Sequence, residues 1–137
     1  MQETARRYAR EKLTNLAEEV ETTGHPPSRE LLKEYAEMGF LGINVPESMG
    51  GLGLGNLEAL IVLEEFAKIS SAIAFPVFES SVGPVRAIEK FASPSLAQRI
   101  LPAVCKGEMI MAVAMSEPHA GSALTDLSTR GEVKDDG

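Results

Sequence analysis

Apolar residues recur at steps of three and four near the start of the chain. Ala5, Tyr8, Ala9, Leu13, Leu16, Ala17 and Val20 form one stripe, and Glu3, Arg6, Arg7, Arg10, Glu11, Glu18 and Glu21 fall mostly outside it. The spacing predicts an amphipathic helix. Thr22-Thr23-Gly24-His25-Pro26-Pro27 interrupts it, and Ser28 then suits the N-cap of a second helix with Leu31, Leu32, Tyr35 and Ala36 on one face. Gly39 followed by Phe40 is its stop signal.

From Leu41 to Gly55 the chain reads LGINVPESMGGLGLG, and five glycines with one proline argue against regular structure there. A loop with buried apolar punctuation is expected. Asn56 is placed to cap a third helix, NLEALIVLEEFAKIS, whose apolar residues occupy most of its circumference, as in a helix near the centre of a bundle. Glu64-Glu65 within it reads as solvated helix surface, with one of the two buried if the helix is central. SSAIAFPVFES fits either helix or extended structure, with Pro76 opposing an uninterrupted helix. Gly83-Pro84 opens a short helix through Phe91, and Ser93-Pro94 opens another that runs to about Cys105. After Lys106-Gly107-Glu108 the pattern changes to MIMAVAMS, a strand apolar on both faces. A second strand follows from Leu127 to Lys134, and Asp135-Asp136-Gly137 is a turn signal. The expected fold is therefore mostly α, about 105 residues of helix followed by a β-hairpin's worth of strand.

A length of 137 residues fits about one domain, or one and a piece of another. With 44% hydrophobic and 24% charged residues, the chain has the composition of a globular domain rather than a disordered one. Thirteen Lys and Arg against twenty Asp and Glu give a net charge of −7, which repels phosphate backbones. Aromatic residues make up only 5%, with no Trp, so base stacking has little to work with and nucleic acid is a poor partner. Cys105 is the sole cysteine, which leaves no intrachain disulfide and suits a reducing compartment. No secretory signal and no bilayer-spanning run is visible, so a cytoplasmic location is expected, with no membrane partner. His25 and His119 lie far apart and Cys105 has no neighbour at ligand spacing, so no metal site is expected.

Chemistry concentrates between the two expected strands, in Ser116-Glu117-Pro118-His119-Ala120-Gly121-Ser122. Pro118 restricts the turn, Gly121 permits positive φ, and two hydroxyls with exposed peptide N–H groups suit a phosphate or a polar heterocycle without any cationic side chain. Taken alone, this is also the composition of an ordinary turn. Ser116, His119 and Asp126 name the residue types of a nucleophilic triad, but they crowd into eleven positions without a nucleophile elbow. Met109, Met111 and Met115 suit irregular core filling better than a cofactor box. Glu117 reads as a loop anchor that accepts backbone N–H bonds, in preference to an acid–base group.

Three stretches together point to a family. AMSEPHAGSA followed by Thr129-Arg130-Gly131, NVPESMGGLGLG, and LPAVCKGE just before the strand resemble the signatures of the acyl-CoA dehydrogenases, in their order and at similar spacing. The resemblance implies a flavoprotein with an N-terminal helical domain, a β-barrel-like middle domain and a C-terminal four-helix domain. Residues 1–108 would be the first of these and 109–137 the start of the second. It further implies FAD as cofactor, an acyl-CoA substrate that loses a proton from Cα and a hydride from Cβ, an electron-transfer flavoprotein as acceptor, and a homo-oligomer, dimer or tetramer, at full length.

By the same resemblance Val113, Met115 and Ser116 correspond to the segment that bonds the flavin ring. Gly121 and Ser122 correspond to the turn at the FAD pyrophosphate, and Ser122 also to a contact on the CoA side of the substrate. Arg86 and Arg99 face either solvent or the CoA phosphates, and Phe75, Phe78 and Glu79 are candidates for the acyl pocket wall. The family's usual catalytic glutamate lies beyond these residues, so no residue here is assigned as the base. Ala123 stands where the family usually has Asp. That departure keeps two alternatives in view: another flavin-dependent chemistry on acyl thioesters, or a helical interaction module without redox work.

Overall fold

The computed structural model describes residues 1–133. The end of the expected second strand at Lys134 and the turn signal Asp135-Asp136-Gly137 lie outside the described residues. The chain is mostly helical, as the sequence pattern predicts. Helices α1 (Gln2–Tyr8) and α2 (Thr14–Thr23) run on from one another through a single π-helical turn, Ala9–Leu13. Ala5, Ala9, Leu13 and Ala17 recur every four residues, a spacing that drifts round a helix of 3.6 residues per turn, and one wider turn holds them on the same face. Ala5, Tyr8, Ala9, Leu13 and Ala17 thereby all stay buried.

Helix α3 (Arg29–Glu37) starts where the serine cap requires, with Ser28 Oγ accepting the Leu31 N–H at 3.2 Å. It ends in a Schellman closure around Gly39 at φ +72°. The Gly39 N–H donates to the Ala36 carbonyl at 3.0 Å and the Phe40 N–H to that of Tyr35 at 2.8 Å. The closure turns Phe40 back into the core. The glycine-rich loop then folds on itself: the N–H groups of Leu52, Gly53 and Leu54 donate to the carbonyls of Gly42, Val45 and Ile43 at 3.2, 2.8 and 3.0 Å. That pairing satisfies the backbone while Ile43 and Val45 are buried.

Two expectations need correcting in the next two helices. Gly55, not Asn56, is the N-cap of α4 (Asn56–Ala67), with the Glu58 carboxylate accepting the Gly55 N–H at 2.9 Å. Asn56 is the first helical residue, and its Oδ1 accepts from Asn44 Nδ2 at 2.6 Å. Pro76 does not interrupt the following segment, because α5 (Ser71–Ser81) runs through it. Tertiary bonds offset the proline: Tyr35 donates its hydroxyl to the Ile73 carbonyl at 3.1 Å, and Ser81 Oγ accepts the Ile43 N–H at 3.1 Å. Helices α6 (Val85–Phe91) and α7 (Pro94–Cys105) complete the bundle, the latter capped by Ser93 Oγ on the Leu96 N–H at 3.3 Å. A second Schellman closure at Gly107, φ +70°, ends α7, with Gly107 N–H to Val104 at 3.0 Å and Glu108 N–H to Ala103 at 2.9 Å.

The main core is built round four rings. Tyr8, Tyr35, Phe40 and Phe66 all meet one another, with centroids 5.1 to 6.4 Å apart, and each is buried. A smaller cluster of Val45, Val85, Ala97, Leu101, Val104 and Cys105 sits under α6 and α7. Helix α4 packs on α1 and α5 through Ala59, Val62, Glu65 and Phe66. Its opposite side is open, with Leu57 at 65% and Leu60 at 54% exposure, so the helix is not buried all round as its composition predicts.

The strand expected at Met109–Met115 is not formed among the described residues. Residues 110–116 have no regular secondary structure, and all but Met111 are exposed. A strand needs a neighbour for its N–H and C=O groups, and residues 127–133 do not supply one. The N–H groups of Ser128 and Thr129 go instead to a side chain, described next. The β-type pairing present is a bridge between Glu117 and Ala120.

Candidate functional site

The loop after Met115 is organised by one carboxylate. Glu117 and Ala120 exchange two backbone hydrogen bonds, at 2.8 and 3.1 Å, which fold Pro118-His119 into a tight turn and bury Ala120. The Glu117 carboxylate then reaches to the other end of the loop. Its Oε2 accepts the Ser128 N–H at 2.9 Å and the Ser128 hydroxyl at 3.0 Å. Its Oε1 accepts the Thr129 N–H at 2.8 Å and the Thr129 hydroxyl in a short bond. Four donors stabilise the ionised form, and the hydroxyl of Thr129 with the two N–H groups holds the pKa down at about 2. Glu117 is thus an acceptor anchor, as its place in the sequence suggested. The pattern hid its partners, because a separation of eleven and twelve residues follows no helix or strand period.

His119 Nε2 lies 3.1 Å from Ser128 Oγ and 3.3 Å from Glu117 Oε2. It bonds neither Ser116 nor Asp126, so the triad reading fails on geometry. Gly121 does not adopt positive φ, contrary to expectation; the left-handed glycines lie elsewhere in the chain. The turn is already closed by Glu117 and Ala120, and a Cβ on Gly121 would meet nothing within 4 Å, so neither backbone conformation nor packing within the chain requires glycine there. Downstream, Leu124–Asp126 form one 3-10 turn closed by the Asp126 N–H on the Ala123 carbonyl at 3.0 Å.

Val113, Met115, Ser116, Gly121 and Ser122 are all exposed, Val113 and Met115 by half of their surface. Among the described residues, no internal hydrogen bond engages the N–H groups of Met115, Ser116, Gly121 or Ser122, or the hydroxyls of Ser116 and Ser122. The Ser116 and Gly121-Ser122 donors stand on either side of the closed turn with no cationic side chain bonded between them. This donor set fits a ligand with a polar heterocycle edge and an anionic group, the chemistry of a flavin dinucleotide.

A second feature lies on the bundle itself. Glu79 on α5 is half-buried beside Leu32, Leu41, Pro76, Val104 and Met109, and desolvation raises its carboxyl pKa. Phe75 and Phe78 are exposed on the same helix with their rings edge to face at 6.0 Å. Arg86 is partly committed, donating Nη1 to the Asn44 carbonyl at 3.2 Å and pairing with Glu89, while Arg99 is exposed. Far from the loop, Glu65 is buried in α4. It takes Arg6 Nη2 at 2.9 Å, Lys68 Nζ at 3.1 Å and Gln2 Nε2 at 3.2 Å; Arg6 and then Lys68 hold its pKa at about 2, and Arg6 and Gln2 tie the first helix to the bundle. Sequence offered Glu64 and Glu65 as candidates for burial without deciding between them; Arg6 as partner carried no signal.

The model of the acyl-CoA dehydrogenase N-terminal domain matches residues 1–108. The chain belongs to the acyl-CoA dehydrogenase family. It is 32% identical over 137 residues to a mitochondrial isovaleryl-CoA dehydrogenase of Bos taurus, covering 99% of this chain and 32% of that protein. It is 34% identical over 138 residues to a 3-sulfinopropanoyl-CoA desulfinase of Variovorax paradoxus, covering 99% of this chain and 34% of the relative. An acyl-CoA dehydrogenase from Bacillus anthracis, solved in complex with FAD, superposes with a TM-score of 0.80 at 28% identity, over 92% of this chain and 21% of that one. The chain spans about a third of the length of these curated relatives. The acyl-CoA dehydrogenase signature at AMSEPHAGSA falls on the loop that Glu117 closes.

Proposed function

We propose that this chain is the N-terminal portion of an FAD-dependent acyl-CoA dehydrogenase, with a helical domain over 1–108 and the opening of the middle β-domain over 109–137. The observation that carries the reading is the uncommitted donor set of Ser116, Gly121 and Ser122 on a turn of the family's signature sequence. When bound, FAD supplies the hydride acceptor for the Cβ–H bond of an acyl-CoA whose Cα gives up a proton.

This chain's own residues bind and orient. Ser116, with the Val113 and Met115 backbone, donates to the polar edge of the ring, where such bonds favour electron density. Gly121 lets the backbone come close to the pyrophosphate, and the Ser122 hydroxyl serves that group and the CoA side of the substrate. Phe75, Phe78 and Glu79 form part of the acyl wall. None of these residues takes the Cα proton.

The partners that go with this reading are an electron-transfer flavoprotein and further copies of the full-length chain as a dimer or tetramer. A cytoplasmic location goes with the lone thiol. The test is the full-length protein: it should purify yellow and bleach anaerobically with an acyl-CoA it accepts. A colourless protein indifferent to added FAD would overturn the reading and favour a helical module without redox work. Ala123 supports a second reading, flavin-dependent chemistry on acyl thioesters other than dehydrogenation, and the desulfinase relative is in keeping with it. A yellow protein that turns over an acyl-CoA while its flavin stays oxidised would select that reading.

A further inference from the structure

We infer that Glu117 is the positioning residue of the flavin-binding turn, closing residues 117–129 into a ring and so fixing how Ser116, Gly121 and Ser122 present their donors. The inference rests on the flavin reading above. Its basis is a division of labour within one loop. The side chain of Glu117 is 13% exposed, whereas Ser116, Gly121, Ser122, Ser128 and Thr129 are all exposed. The carboxylate uses both oxygens, each taking one N–H and one hydroxyl of a single residue. Every backbone bond that closes the ring is made away from the donors assigned to the ligand. A closed ring loses little further freedom when a ligand arrives, and binding then forgoes less of its energy to ordering.

Ala123 makes this brace more important. Where the family usually has an Asp, this turn has no side chain able to hydrogen-bond. Within 117–129 the carboxylates are Glu117 and Asp126, and Asp126 accepts, among the described residues, only a 3.4 Å bond from the hydroxyl of its neighbour Thr125. Among the described residues Glu117 ties the two ends of the ring together with four bonds, and His119 Nε2 adds a single one to Ser128 Oγ at 3.1 Å.

The chemistry selects the variants. In Glu117→Gln the shape is kept, but the amide NH2 must point at either the Ser128 or the Thr129 pair, where the hydroxyl can turn to accept and the backbone N–H is left facing another donor. Glu117→Asp keeps the acceptor chemistry on a shorter arm. Ser128→Ala removes one hydroxyl and leaves both N–H bonds.

The experiment uses the full-length protein stripped of flavin and titrated with FAD, together with hydrogen exchange of the flavin-free form. Glu117→Gln should weaken FAD binding by tenfold or more and speed exchange across 113–122, with exchange across 29–37 unchanged. Ser128→Ala should weaken binding two- to fivefold, and Glu117→Asp should recover part of the loss. A Glu117→Gln protein that binds FAD within twofold of the parent, or an Asp variant as poor as Gln, would overturn the positioning role and leave the flavin reading standing. A parent protein that takes up no FAD would overturn both.

Discussion

Gly107 offers the sharpest test of how the helical part is assembled. It is the left-handed residue that ends α7, and it sits directly against the backbone of α3: a Cβ placed on it would lie 2.6 Å from the Leu32 carbonyl oxygen and 2.8 Å from the Leu32 carbonyl carbon. Replacing it with alanine therefore has two costs. Holding an L-residue in the left-handed region costs ~1–2 kcal/mol. Pushing helix backbone aside costs roughly a further 1–3 kcal/mol, since the obstacle is main chain that has no rotamer to change. Gly24 separates the two, because it has nearly the same φ, +69°, and a Cβ there meets nothing within 4 Å. Gly24→Ala should lose only the conformational share, and Gly107→Ala about 2–5 kcal/mol in all, a large part of the ~5–15 kcal/mol that holds a domain together. Urea unfolding followed by circular dichroism reads both, with the denaturant slope checked for constancy. If the two variants unfold within about 0.5 kcal/mol of each other, the close approach of Gly107 to α3 is wrong.

The four-ring core makes a second demand: Phe66→Ala removes a fully buried ring that meets three others and should lose about 3–5 kcal/mol in the same assay, against which a loss under about 1 kcal/mol would count. The Glu65 cluster makes stability depend on acid. Its pKa is depressed from 4.5 to about 2 in the folded state, so its contribution is full above pH 4.5 and lost as pH falls to 2; Glu65→Gln should flatten that part of the stability profile, and an unchanged slope would contradict the assignment. Burial pushes the Cys105 thiol up from 9.0 to about 11, so alkylation of the native protein at pH 8 should be slowed roughly a hundredfold relative to an open thiol and restored in urea. Reaction at the open-thiol rate without denaturant would refute that burial.

What the sequence made legible was whatever a local rule governs. Ser28 and Ser93 cap the helices they precede, Gly39 stops the one it follows, and α7 ends at Cys105, because caps and stops depend on a few adjacent residues. Where a distant residue decides, the local rule misleads. Pro76 reads as a helix breaker until Tyr35 and Ile43 are seen to bond α5, at Ile73 and Ser81, from elements some forty residues away. Asn56 reads as a cap until Asn44 takes its side chain, which leaves Gly55 and Glu58 to close the helix start. The apolar run from Met109 to Met115 reads as a strand because alternation records side-chain preference and says nothing of a partner strand.

The site was legible in a different sense, as composition without geometry. Ser, Gly and Pro at 116–122 announced a turn rich in donors, and Glu117 announced an anchor, but neither named Ser128 and Thr129 as the far ends of the ring. The arrangement also separates stability from recognition. The two apolar clusters are built from residues 5–105, and among the described residues beyond Glu108 only Met111 packs against either. The core therefore does not depend on the signature loop, which is held by Glu117 and by the exit of the chain at Gly107, where Arg29 Nη1 also donates to the Glu108 carbonyl at 3.3 Å. Substitutions in the rings should act on folding and leave the donors where they are; substitution of Glu117 should act on the donors and leave folding largely intact. A loop whose donors face outward, joined to a core complete without it, is suited to meeting a ligand whose other contacts come from elsewhere.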